Sequence, residues 1–523
     1  MTSIRLYDTT LRDGAQTEGV SFSCEDKLDI LAKLDEFGMD FVEGGWPGSN
    51  PRDDEFFERA CRMDLGKASL TAFGSTHRHG IGPEDDSNLI ALSSCPVGWC
   101  CIFGKTWDFQ VTDALRIGLD ENLTMIEESV AFLRRSGKRV MFDAEHFFDG
   151  YRANRDYAVS ALKAAERGGA EWLVLCDTNG GSLPSGISSA VGDVLRSTGT
   201  PLGIHCHNDS DLATACSLAA VEAGCTMVQG TVNGIGERCG NANLCTVIPN
   251  LAFKAGARVD VDPRGLTQLS KHVGEIANMV PASGMPYVGD RAFAHKGGMH
   301  VSALAKDPRT YEHVPPESVG NSRRVLVSDM AGRASISEKL RELGLEISDD
   351  SPDITKKIKD MESMGYQFEG ADASFELLVK RLRGDIEKRF EVSGFRIFID
   401  ERAGLEMDSE ASIKVLNSDG LMEQTAADGN GPVNALDNAL RKALARFYPS
   451  LRDVRLTDYK VRVLDEKSAT AASVRVLIRT TDGESSWTTV GVSENVIEAS
   501  LIALTDSLEY ALMRQDQVTK VKQ

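Results

Sequence analysis

Gly203-Ile204-His205-Cys206-His207-Asn208-Asp209 follows Pro201-Leu202 and precedes a helical pattern from Asp211 to Val221, so it reads as a strand feeding a helix. In a strand, alternate side chains share a face, and His205 and His207 point the same way. Two imidazoles near the C-terminal end of a strand bind one divalent ion if a carboxylate arrives from elsewhere; otherwise they are a satisfied polar pair.

The same strand-then-helix pattern repeats on either side of this stretch. From Ile4 to about Val280, apolar runs alternate with amphipathic segments, and strands are expected at Ile4–Leu11, Phe41–Gly44, Ser69–Gly74, Val97–Phe103, Arg139–Ala144, Trp172–Thr178, Leu202–His207 and Met227–Val232. Eight strands with intervening helices are what a closed (β/α)8 TIM barrel requires, here over 1–280. A doubly wound open sheet is the alternative, but no Gly-rich dinucleotide turn follows the first strand. Ser23 and Asp26 form a capping box ahead of Leu28, Leu31 and Leu34. Leu119, Leu123, Ile126, Val130 and Leu133 make an apolar stripe at helical spacing.

A chain of 523 residues exceeds one ordinary core, so two or three domains are expected. Its 41% hydrophobic and 26% charged residues suit a soluble globular protein, and the net charge of -20 argues against nucleic acid or an anionic membrane as partner. No apolar run approaches a membrane span, and the start MTSIRLYDTT lacks a signal segment, so a cytoplasmic location is expected. Eleven cysteines fall between Cys24 and Cys245 without CxxC pairs, which suits reduced thiols acting as small core residues.

In a barrel, chemistry belongs at the C-terminal ends of the strands. Polar residues gather there: Arg12-Asp13, Glu43, Glu145-His146, Asp177-Thr178-Asn179, the histidine pair, and Asn233 through Asn241. Any single group would suit helix capping; recurrence at so many strand ends favours a shared site.

Asp8-Thr9-Thr10-Leu11-Arg12-Asp13-Gly14, the HxHND run and GxGERxGN resemble the Claisen-condensing acyl-CoA enzymes of the DRE-TIM metallolyase superfamily, which comprise 2-isopropylmalate, homocitrate and citramalate synthases. Ala15-Gln16, and Glu43-Gly44-Gly45-Trp46-Pro47-Gly48-Ser49-Asn50-Pro51, look most like the citramalate-synthase branch. The resemblance implies condensation of acetyl-CoA with pyruvate to citramalate, feeding isoleucine biosynthesis; the near alternative is 2-oxoisovalerate in an isopropylmalate synthase. It implies Asp13, His205, His207 and Asn241 as ligands of Mn²⁺, Mg²⁺ or Zn²⁺. Arg12 would face the developing alkoxide, Gln16 and Thr178 the substrate, and Glu145 the acetyl group. His300, within Ala294-His295-Lys296-Gly297-Gly298-Met299-His300, would be the base, assisted by Tyr311, in an expected homodimer. Lys296 and Arg323-Arg324 would either face CoA phosphates or form a solvated face. The carbon–carbon lyases of the superfamily carry Cys before Pro in the last barrel loop, whereas Cys239 precedes Gly240. A non-catalytic amino-acid sensor would require idle ligands.

Beyond the barrel, 281–388 reads as a helical linker subdomain carrying the His300 segment, and 389–515 as an α+β regulatory domain. Phe395–Ile399 and Ala411–Val415 alternate as strands, the latter ending at the Asn417-Ser418-Asp419-Gly420 turn, and a helix is expected from Pro432. Strands followed by a helix occur twice, the second helix opening near Gly491 through Val496. This repeat resembles the regulatory domain of isopropylmalate and citramalate synthases, where a branched-chain amino acid such as isoleucine binds; the alternative is a module that only dimerises.

Overall fold

A computed structural model describes residues 2–296, 298–325, 351–368, 370–400, 408–464, 472–483 and 485–521. The eight apolar runs form β1 (Arg5–Asp8), β2 (Phe41–Gly45), β3 (Ser69–Ser75), β4 (Trp99–Lys105), β5 (Arg139–Glu145), β6 (Trp172–Asp177), β7 (Leu202–Cys206) and β8 (Met227–Gly230). They pair in parallel in sequence order and close, β1 bonding to both β2 and β8, so the open-sheet alternative falls.

The first strand is shorter than the apolar run suggests. The Thr9 N–H still donates to the Gly230 carbonyl, but the Arg12 and Gly14 N–H groups both turn back to the Thr9 carbonyl. The chain therefore leaves the sheet just before Arg12 and Asp13, and both side chains are delivered at the barrel rim. The first helix, α1 (Cys24–Phe37), begins with the expected box: Ser23 Oγ accepts from the Asp26 N–H, and the Asp26 carboxylate accepts from the Ser23 N–H at 2.7 Å. Ile30, Leu31 and Leu34 on its inner face are buried. The helix Leu119–Arg135 likewise buries Ile126, Val130 and Leu133, and the helix after β7 spans Ala213–Ala223.

All eleven cysteines are free, and nine are buried as expected. Cys61 and Cys239 are exposed and do not serve as core residues.

This barrel unit runs Met1–Phe293 and takes in Glu312–Arg323. The second unit comprises Ala294–Tyr311 and Arg324–Gln523. In it, Ala294–His295 pairs in parallel with Arg324–Val325, and the short helix Gly298–Leu304 carries His300. Helices follow at Ser351–Ser363 and Asp372–Arg383; the part of the expected linker at 326–350 lies outside the described residues, as does Gly297. Two antiparallel three-stranded sheets come next. Phe390–Asp400, Asp408–Asn417 and Met422–Gly429 lead into the helix Pro432–Phe447, and Arg455–Val463, Val474–Thr481 and Ser486–Ser493 lead into Val496–Val521. Ile413 and Val415 from one sheet, Val476 and Ile478 from the other, and Leu440 and Leu504 from the helices share one core.

The exit of β2 is fixed by a buried ion pair. Lys27 Nζ lies 2.5 Å from Asp53 Oδ1 and donates to the Gly44 carbonyl at 3.0 Å, while Asp53 Oδ2 accepts from the Trp46 N–H at 2.9 Å. Asp53 stands in the first turn of α2 (Pro51–Ala60), where its own N–H donates to the Asn50 side chain. Removing the cation strands a buried carboxylate beside a tight turn. Lys27→Met is expected to lower stability by about 3–5 kcal/mol, read as a shifted denaturant midpoint, whereas a shift under about 1 kcal/mol contradicts this account of the pair.

Candidate metal centre

Four side chains singled out in the sequence meet at the barrel mouth. Asp13 lies in the turn after β1, His205 is the fourth residue of β7, and His207 is the first beyond it. The loop after β8 then doubles back: the Asn208 N–H donates to the Gly240 carbonyl and the Ala242 N–H to the Cys206 carbonyl, so that Asn241 bridges antiparallel to His207. His205 Nε2 is 3.3 Å from His207 Nε2 and 3.6 Å from Asp13 Oδ2. One ligand atom from each of Asp13, His205 and His207 lies within 4.8 Å of the others, and all three residues are buried.

These residues fit a divalent cation. Asp13 Oδ1 and Asn241 Oδ1 are buried with no hydrogen-bond partner, an arrangement that costs about 1–3 kcal/mol per group unless something positive meets them. Two imidazoles and a carboxylate are an ordinary donor set for such an ion, and an amide oxygen completes it. Their protonation suits the task. Burial lowers both histidines below their usual range, in His205 reinforced by His207 and opposed by Asp13, so both are neutral. Burial alone would raise Asp13, but the Arg12 guanidinium outweighs it and holds the carboxyl below its usual range, so it is ionised.

Arg12 is held on three sides. Its Nε donates to Glu43 Oε2 at 2.6 Å, its NH1 lies 3.2 Å from Asp13 Oδ2, and its guanidinium carbon stands 3.8 Å above the ring of Phe73. Glu43 also accepts from the Tyr7 hydroxyl at 2.9 Å. The arginine thus pairs with Glu43 and Asp13, while Glu145 is taken by Lys105, whose Nζ lies 2.5 Å from Oε2. Thr178 Oγ1 accepts from the N–H of His146, a residue in the left-handed region at φ 57°, which leaves the threonine hydroxyl hydrogen to donate elsewhere. Gln16 is exposed at the end of the short helical turn Gly14–Gln16. Trp46 donates its indole N–H to Asn88 and packs edge-on against Phe73 and Phe103.

His300 and Tyr311 belong to the second unit, where their rings stack with centroids 4.0 Å apart. Arg323, expected either to face CoA phosphates or to lie on a solvated face, forms a two-pronged pair with Glu312, with both bonds 2.6 Å long. Sequence reasoning missed Gln229, whose side chain meets His205 Nδ1 at 3.0 Å; a lone glutamine inside an apolar strand carries no local signal. Arg238 pairs with Asp209 and donates to the Thr178 carbonyl, tying the last barrel loop to the ends of β6 and β7.

Comparison with known proteins agrees with this geometry. The HMGL-like family model matches residues 3–273, a homocitrate synthase post-HMGL domain-like model matches 287–365, and the LeuA allosteric (dimerisation) domain matches 369–512. The chain is 53% identical to an (R)-citramalate synthase of Geobacter sulfurreducens, over 99% of each chain. It is 52% identical to one of Aquifex aeolicus, over 98% of each. A probable 2-isopropylmalate synthase of Methanopyrus kandleri is 32% identical over 96% of each.

The position of Asn241 depends on glycine. At Gly240, φ is +87°, and a Cβ would strike the carbonyl oxygen of Gly234; at Gly236 one would strike the Asn241 amide. Gly240→Ala is expected to leave the barrel folded by circular dichroism and to weaken Mn²⁺ binding by at least about tenfold in calorimetry. Unchanged affinity would remove Asn241 from the site.

Proposed function

Because the chain belongs to the HMGL-like family and, along its whole length, to the (R)-citramalate synthases within it, we propose that it condenses acetyl-CoA with pyruvate and water to give citramalate and CoA. The observation that carries this reading is the convergence of Asp13, His205 and His207 in a chain at 53% full-length identity to a citramalate synthase. Isopropylmalate synthesis is the weaker alternative, since relatives of that name are far more distant.

A divalent cation bound by Asp13, His205, His207 and Asn241 would supply Lewis acidity toward the ketone of the 2-oxo acid. The residues do the rest. Arg12, fixed by Glu43 and Phe73, offers its remaining N–H groups to the oxygen on which negative charge develops. Thr178, its oxygen already accepting a backbone N–H, donates its hydroxyl hydrogen to the substrate carboxylate, and Gln16 assists from the rim. Glu145, paired with Lys105, orders the acetyl group. His300, stacked on Tyr311, takes the methyl proton of acetyl-CoA. In this reading the barrel performs the chemistry, 281–388 brings the base, and 389–515 regulates.

The chain carries a LeuA allosteric (dimerisation) domain, and homodimerisation through it is supported by apolar side chains left exposed on one strand, Phe395, Phe398 and Ile399. Isoleucine is the proposed effector, its carboxylate held by backbone N–H groups at the starts of the helices Pro432–Phe447 and Val496–Val521. A cytoplasmic setting accords with eleven free thiols. Among the described residues no helix is long and apolar enough to cross a membrane.

Thiol release from acetyl-CoA across a panel of 2-oxo acids tests the reaction. Pyruvate is expected to give the highest kcat/KM and His205→Ala to abolish turnover; a preference for 2-oxoisovalerate reverses the choice of substrate, and full turnover with all metal chelated removes the metal reading. His300→Gln is expected to lower kcat by about 10²–10⁴-fold with Mn²⁺ affinity unchanged. Retained kcat would assign the base elsewhere. Titrating isoleucine in a calorimeter should give heat and inhibition, and neither for a chain ending at residue 388; silence in the full chain rejects the effector.

A further inference from the structure

Behind His205, a row of buried groups runs across the barrel interior. His205 Nδ1 meets Gln229 Oε1 at 3.0 Å, Gln229 Nε2 donates to Asp143 Oδ1 at 3.0 Å, and the Cys101 thiol donates to the same oxygen at 3.1 Å. Gln229 comes from β8, Asp143 from β5 and Cys101 from β4, and all are at most 4% exposed. Buried this deeply, each hydrogen has few alternative acceptors.

The direction of the row follows from Asp143. Its Oδ1 receives two donors, from Gln229 and Cys101, and therefore acts as an acceptor; any proton the group carries sits on Oδ2. Turning the Gln229 amide over would set its carbonyl oxygen against that carboxylate oxygen. The amide N–H groups consequently face Asp143 and Cys101, and Oε1 faces His205. An acceptor at that position requires the hydrogen of the neutral imidazole to be on Nδ1. The Nε2 lone pair is then left facing His207 Nε2 and Asp13 Oδ2.

We infer that Asp143 is a positioning residue for the metal centre, acting through Gln229 to hold His205 in the Nδ1–H tautomer that presents Nε2 to the cation. The inference rests on the metal reading of the site, but its first readout needs no metal. In metal-free protein labelled with ¹⁵N-histidine, long-range ¹⁵N–¹H correlation identifies the tautomer of His205, assigned by loss of its signals in His205→Gln. The wild type is expected as Nδ1–H; finding Nε2–H overturns the relay whatever any variant does.

Asp143→Asn supplies the second arm. An amide in that place can offer its own N–H to Gln229 Oε1, so the Gln229 amide is free to turn and His205 to move its hydrogen to Nε2. The expected result is a mixed or reversed tautomer, with Mn²⁺ affinity in calorimetry down about 10–100-fold. A stably folded variant with the wild-type tautomer and wild-type affinity refutes the role. Failure of the metal reading looks different: Nδ1–H in the wild type without any Mn²⁺ binding sinks the metal site and leaves the relay standing.

Discussion

A carboxylate and two neutral imidazoles taken out of water at one point is the constraint to which the rest of the barrel answers. Desolvation opposes an ionised Asp13, and Arg12 is what keeps it charged. That arginine is itself largely withdrawn from water and would be costly alone. Its charge is met by Glu43 as well as Asp13, and its flat face by Phe73, so the network closes with Tyr7 on the far side of Glu43. β1, β2, β3 and β7 contribute the members of a set that is tolerable only when complete.

Much of this was legible in the sequence, because strands buried on both faces read as apolar runs and helices as period-3.6 stripes. The eight barrel strands, the Ser23 cap and the helix at Pro432 all follow from such local patterns. Strand ends were less legible. The apolar run that starts at Ile4 continues past Asp8, but the backbone there turns back to the Thr9 carbonyl, a choice driven by where β8 ends rather than by local preference. His207 similarly leaves the β7–β8 ladder and pairs with Asn241, because the last loop folds back over the strand end.

The site was legible where its residues cluster in short motifs, as at Arg12-Asp13 and in the HxHND run. What stayed hidden are partners that only closure of the barrel creates. Gln229 and Asp143 are 86 residues apart and bond across the interior, and Lys105 finds Glu145 from a neighbouring strand. The Arg323–Glu312 pair shows the same limit: two adjacent arginines read as either a phosphate-facing patch or a solvated face, and neither reading names the carboxylate eleven residues away that one of them pairs with.

In the proposed reaction, rigidity around Arg12 bears on chemistry as well as stability. A guanidinium free to follow the substrate must be reorganised as charge develops, and that work is added to the barrier. Here Glu43 fixes the Nε edge, Phe73 fixes one face, and Phe73 is itself wedged by Phe103 and Trp46. Trp46 is in turn anchored through Asn88 and through Asp53, the partner of Lys27. The chain of support therefore runs from an ion pair between two outer helices, through an aromatic wedge, to the guanidinium that adjoins the candidate metal-binding carboxylate. Packing that looks merely structural at α1 and α2 holds that guanidinium still before substrate arrives.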